Sequence, residues 1–198
     1  ISAGLGIAQG RDLLGEDYAV ISVIGDGALT GGMAYEALNN AAHLKKNFII
    51  VLNDNNMSIS ENVGGMSKYL SGLRSGVGYN ELKRQVSETL LKIPVVGAGL
   101  VEKISRTKDS IKQLVIPGML FENMGVTYLG PVDGHDIKAM VKTFKEARRM
   151  DHAVLVHVLT KKGKGYAPAE KNPSRFHGID PFDIATGKSL KEKVYPTY

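Results

Sequence analysis

Tyr18-Ala19-Val20-Ile21-Ser22-Val23-Ile24-Gly25-Asp26-Gly27 is the stretch that decides the fold. Its first seven residues are nearly all apolar and rich in β-branched side chains. That is the composition of a strand buried in a parallel sheet. Gly25-Asp26-Gly27 stops it. Phe48-Ile49-Ile50-Val51-Leu52 is a second run of the same kind, stopped by Asn53-Asp54-Asn55-Asn56. Between the two lies a helical pattern that Thr30 is placed to cap and that runs to about Leu44.

The alternation continues on both sides. Residues 2–14 read as a helix with Gly and Ala on its packing face. Residues 62–80 are rich in Gly and Ser and read as a long loop. Helical patterns follow at about 80–92, 98–108 and 109–123. Val126–Leu129 is a short strand and Gly130–Gly134 a turn. Asp136 opens an amphipathic helix to about Arg149, and Ala153–Leu159 is a further strand. Strands alternating with helices predict an α/β fold of three layers, α/β/α, around a mainly parallel sheet. The domain is expected to span residues 1–183, with a polar linker over 184–198. The opening Ile1-Ser2-Ala3-Gly4 reads as a helix already under way, so the chain is expected to be a piece of a longer one.

Composition removes several function classes. The 198 residues contain no cysteine, which excludes disulfides, zinc thiolate sites and thiol nucleophiles. No apolar run approaches the ~20 residues of a membrane span, and a cytoplasmic protein is the default expectation. The formal charge is +5. Residues 68–112 hold nine Lys/Arg against four Asp/Glu, so the excess lies there. Aromatics are not interleaved with those charges, which argues against nucleic acid and for a solvated helical face.

In parallel sheets ligands bind beyond the carboxyl ends of the strands. Three segments sit at such ends: residues 25–32, 53–61 and 161–166. The first, Gly25-Asp26-Gly27-Ala28-Leu29-Thr30-Gly31-Gly32, brings glycine backbone and a helix start toward an anion. It is neither a Walker A loop nor a Gly-x-Gly-x-x-Gly dinucleotide loop. Its distinguishing residue is Asp26. A carboxylate would repel a bound diphosphate unless a cation lay between them. Mg²⁺ takes six oxygens at ~2.0–2.1 Å from carboxylates, amides, carbonyls, phosphates and water. Asn55 offers a neutral amide oxygen at the next strand end. Either segment alone also reads as an ordinary turn; the two together favour the metal–diphosphate site.

Gly25-Asp26-Gly27 followed by Asn55-Asn56 resembles the signature of thiamine-diphosphate enzymes. Three longer runs are similar to the 1-deoxy-D-xylulose-5-phosphate synthase family. They are residues 53–64 (Asn-Asp-Asn-Asn-Met-Ser-Ile-Ser-Glu-Asn-Val-Gly), 130–136 (Gly-Pro-Val-Asp-Gly-His-Asp) and 160–170 (Thr-Lys-Lys-Gly-Lys-Gly-Tyr-Ala-Pro-Ala-Glu). Phe176-His177-Gly178 fits as well. Transketolase, the nearest relative, lacks the Ser58–Gly64 run.

The resemblance implies a thiamine-diphosphate-binding fold with Mg²⁺ held by Asp26, the Asn55 side chain and the Met57 carbonyl. Gly27, Ala28 and Asn55 would touch the diphosphate, and Tyr166 the cofactor. His177 would line the active site and handle protons as a catalytic residue. The reaction implied joins pyruvate, with loss of CO₂, to D-glyceraldehyde 3-phosphate, the first step of non-mevalonate isoprenoid synthesis and a supply for thiamine synthesis. Family members are homodimers. The family's glutamate that acts on the aminopyrimidine lies on a pyrimidine-binding domain absent here, so the chain alone is expected to be inactive. Two alternatives are another thiamine enzyme, such as a transketolase, and a non-catalytic anion-binding module.

The remaining histidines read as structural. His43 ends a helix, His135 starts one, His152 is solvated, and His157 is a satisfied core residue. Lys161, Lys162 and Lys164 serve equally as phosphate ligands or as plain surface.

Overall fold

The computed structural model describes residues 1–44, 46–75 and 119–190. The helices expected at 80–92 and 98–108, most of that at 109–123, and the tail beyond 190 lie outside them.

The elements run α1 (Ser2–Leu14), β1 (Ile21–Gly25), a 3₁₀ turn (Ala28–Thr30), α2 (Gly32–Ala41), β2 (Phe48–Asp54) and α3 (Gly65–Ser75). After these come α4 (Met119–Asn123), β3 (Thr127–Asp133), α5 (Ile137–Arg148), β4 (Ala153–Leu159) and α6 (Ala167–Lys171). The four strands form one sheet in the order β1-β2-β4-β3, and every pair is parallel. Helices cover both faces, which is the three-layer α/β/α fold.

The sequence explains the layers. β2 and β4 are the central strands, and both are apolar almost throughout because each of their faces meets a helix. On one face Phe48, Ile50, Leu52 and Leu155 pack with Leu5 and Ala8 of α1, Leu38 of α2, Leu70 and Leu73 of α3, and Phe121 of α4. On the other, Ile49, Val51, Val154, Val156 and Val158 pack with Met140, Phe144 and Ala147 of α5. Asp136 caps α5, its carboxylate accepting the Lys138 and Ala139 N–H groups.

Four local expectations need correction. β1 is a strand, but it lies at the sheet edge with Ile21 and Val23 52% and 71% exposed, so it is not buried on both faces. Thr30 does not cap α2. Gly31 holds that position, and the Thr30 hydroxyl donates to the Gly27 carbonyl at 2.7 Å. Residues 65–75 are a helix, not a loop. Met66, Leu70 and Leu73 recur at helical spacing and dock on the core, and that burial outweighs the cost of about 1 kcal/mol for a mid-helix glycine at Gly72. Gly130–Asp133 continues β3 instead of forming a turn, with the register shifting between Leu129 and Val132. Gly130 is required in that irregularity. Its φ is +129°, and a Cβ there would lie 2.6 Å from the His157 carbonyl oxygen.

Past α6 the chain turns back on itself. Phe182 bridges to Ser189, and the ring of Phe182 packs on Tyr166 and Phe176.

Candidate cation and diphosphate site

The carboxyl ends of β1, β2 and β4 are stitched together by backbone and amide groups. The Asp26 N–H donates to Asn53 O at 3.2 Å, and Thr160 N–H to Asp54 O at 2.9 Å. Thr160 Oγ1 donates to Asn53 Oδ1 at 2.7 Å, and Lys161 N–H reaches His135 Nε2 at 2.9 Å. The three segments singled out in the sequence therefore lie together.

Asp26 is 2% exposed. Its Oδ1 accepts the Gly27 N–H at 2.9 Å. Its Oδ2 is buried and finds no donor among the described residues. Burial raises its pKa, and the neighbouring Asp54 carboxyl raises it further.

Asp54 is as deeply buried but fully engaged. Its Oδ1 accepts the Asn56 N–H at 3.0 Å and Arg74 Nη1 at 2.5 Å. Its Oδ2 meets His157 Nε2 at 2.9 Å. Burial pushes its pKa up, but the bonds from His157 and from the Asn56 N–H outweigh burial and bring it down to about 2. A neutral His157 satisfies both sides: Nε2–H donates to Asp54, and Nδ1 accepts the Tyr128 hydroxyl at 2.6 Å. His157 is thus the satisfied core histidine that the sequence suggests.

The two carboxyls divide the work. Asp54 is held ionised by its donors and fastens the ligand turn to the core. Asp26 keeps an orphaned oxygen, which an approaching cation would satisfy. The other expected donors are carried by the turn that follows β2. The Asn55 amide oxygen sits in the turn, accepting Met57 N–H at 3.0 Å, and Met57 bridges to Glu61. Gly27 lies so close to this turn that a Cβ would fall 2.9 Å from Ser58 Cβ, so a bare backbone is required where Ala28 follows, exposed, at the start of the 3₁₀ turn. One carboxylate, one amide and a turn carbonyl are hard oxygen donors, the set that suits Mg²⁺. The residues fit the ion.

A stability consequence follows from Asp26. Its raised pKa means that the ionised form is disfavoured on folding, a cost present above the folded pKa and relieved below it. Asp26→Asn is therefore expected to raise the metal-free melting midpoint at pH 7, by the equivalent of about 1 kcal/mol. Thermal unfolding in chelator checks this, and a lower midpoint would contradict the orphaned charge.

A family profile described as 1-deoxy-D-xylulose-5-phosphate synthase matches residues 1–160. The chain belongs to the 1-deoxy-D-xylulose-5-phosphate synthase family. Proteins of that name are similar along the chain. That of Pelotomaculum thermopropionicum is 58% identical over 198 residues, 100% of this chain and 31% of the relative. That of Lachnoclostridium phytofermentans is 58% identical over 191 residues, 96% of this chain and 31% of the relative. That of Desulforudis audaxviator is 59% identical over 189 residues, 96% of this chain and 30% of the relative. The chain thus spans about a third of the length of these relatives, as an N-terminal part. Membership of the synthase family implies dependence on thiamine diphosphate. Among the described residues no helix is long and apolar enough to cross a membrane.

The other residues expected from the synthase resemblance lie on the third segment, at Tyr166, and beyond it, at His177. His177 is exposed, and its Nδ1 lies 2.8 Å from Lys162 Nζ. The same Nζ donates to the Ser58 carbonyl oxygen. Lys162 thus joins His177 to the loop that follows Asn55, a role not legible from three lysines in one short loop. The Tyr166 hydroxyl donates to Ile184 O at 2.8 Å, and its ring packs on Phe176 and Phe182. The sequence reading also missed Asp54 and Arg74. Asp54 was visible only as one polar residue in a turn of four, and Arg74 lay in the presumed loop.

Proposed function

We propose that this chain is the part of a thiamine-diphosphate synthase that anchors the cofactor's diphosphate through Mg²⁺. The observation that carries the proposal is the buried Asp26 Oδ2, unpartnered among the described residues, on a strand end whose backbone is bonded to Asn53 at the start of the turn that holds Asn55. Asp26, Asn55 and the Met57 carbonyl would hold the ion, and Gly27, Ala28 and Asn55 would border the diphosphate. Tyr166 would support the cofactor from the α6 side. When bound, thiamine diphosphate supplies an electron sink for decarboxylation and carbon–carbon bond formation. In the whole protein the reaction is the condensation of pyruvate, with loss of CO₂, and D-glyceraldehyde 3-phosphate to 1-deoxy-D-xylulose 5-phosphate.

His177 handles protons in this reading. Lys162 engages Nδ1 as an ammonium donor, which leaves the Nε2 proton for a substrate oxygen. The remaining parts of the site, including the pyrimidine-binding domain, belong to the rest of the chain, and the working unit is a cytoplasmic homodimer. The 198-residue chain alone is inactive.

Calorimetry on the full-length protein tests this. Thiamine diphosphate is expected to bind with Mg²⁺ present and at least about 10-fold more weakly in chelator, since the Asp26 charge is then uncompensated. His177→Ala should keep that binding and lower the turnover of pyruvate by about 100-fold, within the usual range for general acid–base groups. Binding indifferent to the metal would overturn the clamp, and full turnover by His177→Ala would remove its catalytic role.

A further inference from the structure

One side chain ties α3 to the turn that carries Asn55. Arg74, in the last turn of α3, gives Nη1 to Asp54 Oδ1 at 2.5 Å and Nη2 to Asn56 Oδ1 at 2.7 Å. These two acceptors flank Asn55 in sequence. Asn56 has φ +63°, the left-handed region that asparagine tolerates at some cost. Its conformation is held from two directions, by its own N–H on Asp54 Oδ1 and by Arg74 on its side chain. The guanidinium therefore fixes the backbone on both sides of Asn55.

We propose that Arg74 is a positioning residue for the cation site, setting the Asn55–Met57 turn in the geometry that receives Mg²⁺. The proposal rests on the reading of Asp26 and Asn55 as the cation site. Two effects of Arg74 compete. A positive charge near the site repels a cation, whereas a fixed turn favours one. The charge is offset by Asp54 at 2.5 Å, so its field at the site is that of a close ion pair and falls off quickly. Groups that only orient metal ligands are worth about 10- to 100-fold in metal affinity. Orientation wins. Arginine suits the task because its planar fork reaches two acceptors at once, which a lysine does not.

The test is Mg²⁺ titration by calorimetry in the presence of thiamine diphosphate, on the full-length wild type, Asp26→Ala, Arg74→Met and Arg74→Lys. Melting in chelator is measured beside it. Arg74→Met is expected to weaken Mg²⁺ binding about 10- to 100-fold. Arg74→Lys keeps a charge beside Asp54 but gives up Asn56, so its loss is smaller, about 3- to 10-fold, the scale of one hydrogen bond. Unchanged or tighter Mg²⁺ binding by Arg74→Met overturns the proposal. So does a lower metal-free melting midpoint with wild-type Mg²⁺ affinity, because that is a merely structural role. If Arg74→Met does not fold, Arg74→Lys decides, and wild-type affinity there overturns it. Equal binding by wild type and Asp26→Ala removes the cation site itself. That outcome is distinct from one in which Asp26→Ala fails and both Arg74 variants bind normally.

Discussion

Asp26→Ala in the full-length protein is expected to abolish Mg²⁺-dependent binding of thiamine diphosphate and, with it, turnover. Residues that merely orient a metal ligand are worth up to about 100-fold in affinity, so loss of the one carboxylate in the donor set should exceed about 100-fold. The fold should survive the change. Among the described residues the Asp26 carboxylate accepts from its neighbour Gly27 N–H, and its other oxygen has no hydrogen-bond partner. Calorimetry and a melting curve together check this. Equal cofactor binding by wild type and variant would discard the clamp, and the site would then be no more than a turn.

The largest loss of stability is expected from Asp54→Leu. The side chains of Asp54 and His157 are both 0% exposed, and Arg74 pairs with the same carboxyl. Removing it strands a buried imidazole donor and a guanidinium, a change that costs about 3–5 kcal/mol. The pH profile carries the same signature. A folded-state pKa lowered to about 2 means that Asp54 stabilises the fold above its unfolded pKa and loses that contribution as pH falls from about 4 toward 2. The contribution at neutral pH is on the order of 2 kcal/mol. Denaturant unfolding of the metal-free protein measures it. A loss below about 1 kcal/mol, or a wild-type profile flat across that window, would show that the Arg74–Asp54–His157 cluster does not hold the turn. Asp54→Asn, which keeps one acceptor oxygen and so satisfies one side of the cluster, should lose less.

Much of the fold could be read from residue order. β2 and β4 announce themselves as unbroken apolar runs because both of their faces are covered. Asp136 marks the start of α5 because a carboxylate there has two amide donors to accept. Gly25-Asp26-Gly27 and Asn55 could be paired because parallel strands bring successive carboxyl ends to one side. What could not be read depends on contacts distant in sequence. α3 hides behind its glycines because only its docking through Leu70 and Leu73 makes it a helix. β1 looks like a central strand because its exposure is a matter of sheet order. Asp54 looks like a turn residue until His157, 103 positions later, lies 2.9 Å from it. Lys162 gains meaning only from His177 and Ser58.

The strand order β1-β2-β4-β3 bears on how the site comes into being. β4 lies between β2 and β3, and its register pairs Phe48 with Ala153 and Asp54 with Leu159. During synthesis from the amino terminus, Asp26 and Asn55 emerge early, and a gap of about a hundred residues must be made before their sheet can close. Until then β2 has one parallel neighbour, and Asp54 lacks the imidazole that β4 delivers. Contacts so far apart along the chain form late. A nascent chain released before residue 160 would carry every proposed metal ligand and still lack the Thr160 bonds that lock the strand ends. Acquisition of Mg²⁺ would then mark completion of the sheet, and the ion would serve as a reporter of maturation as well as a clamp.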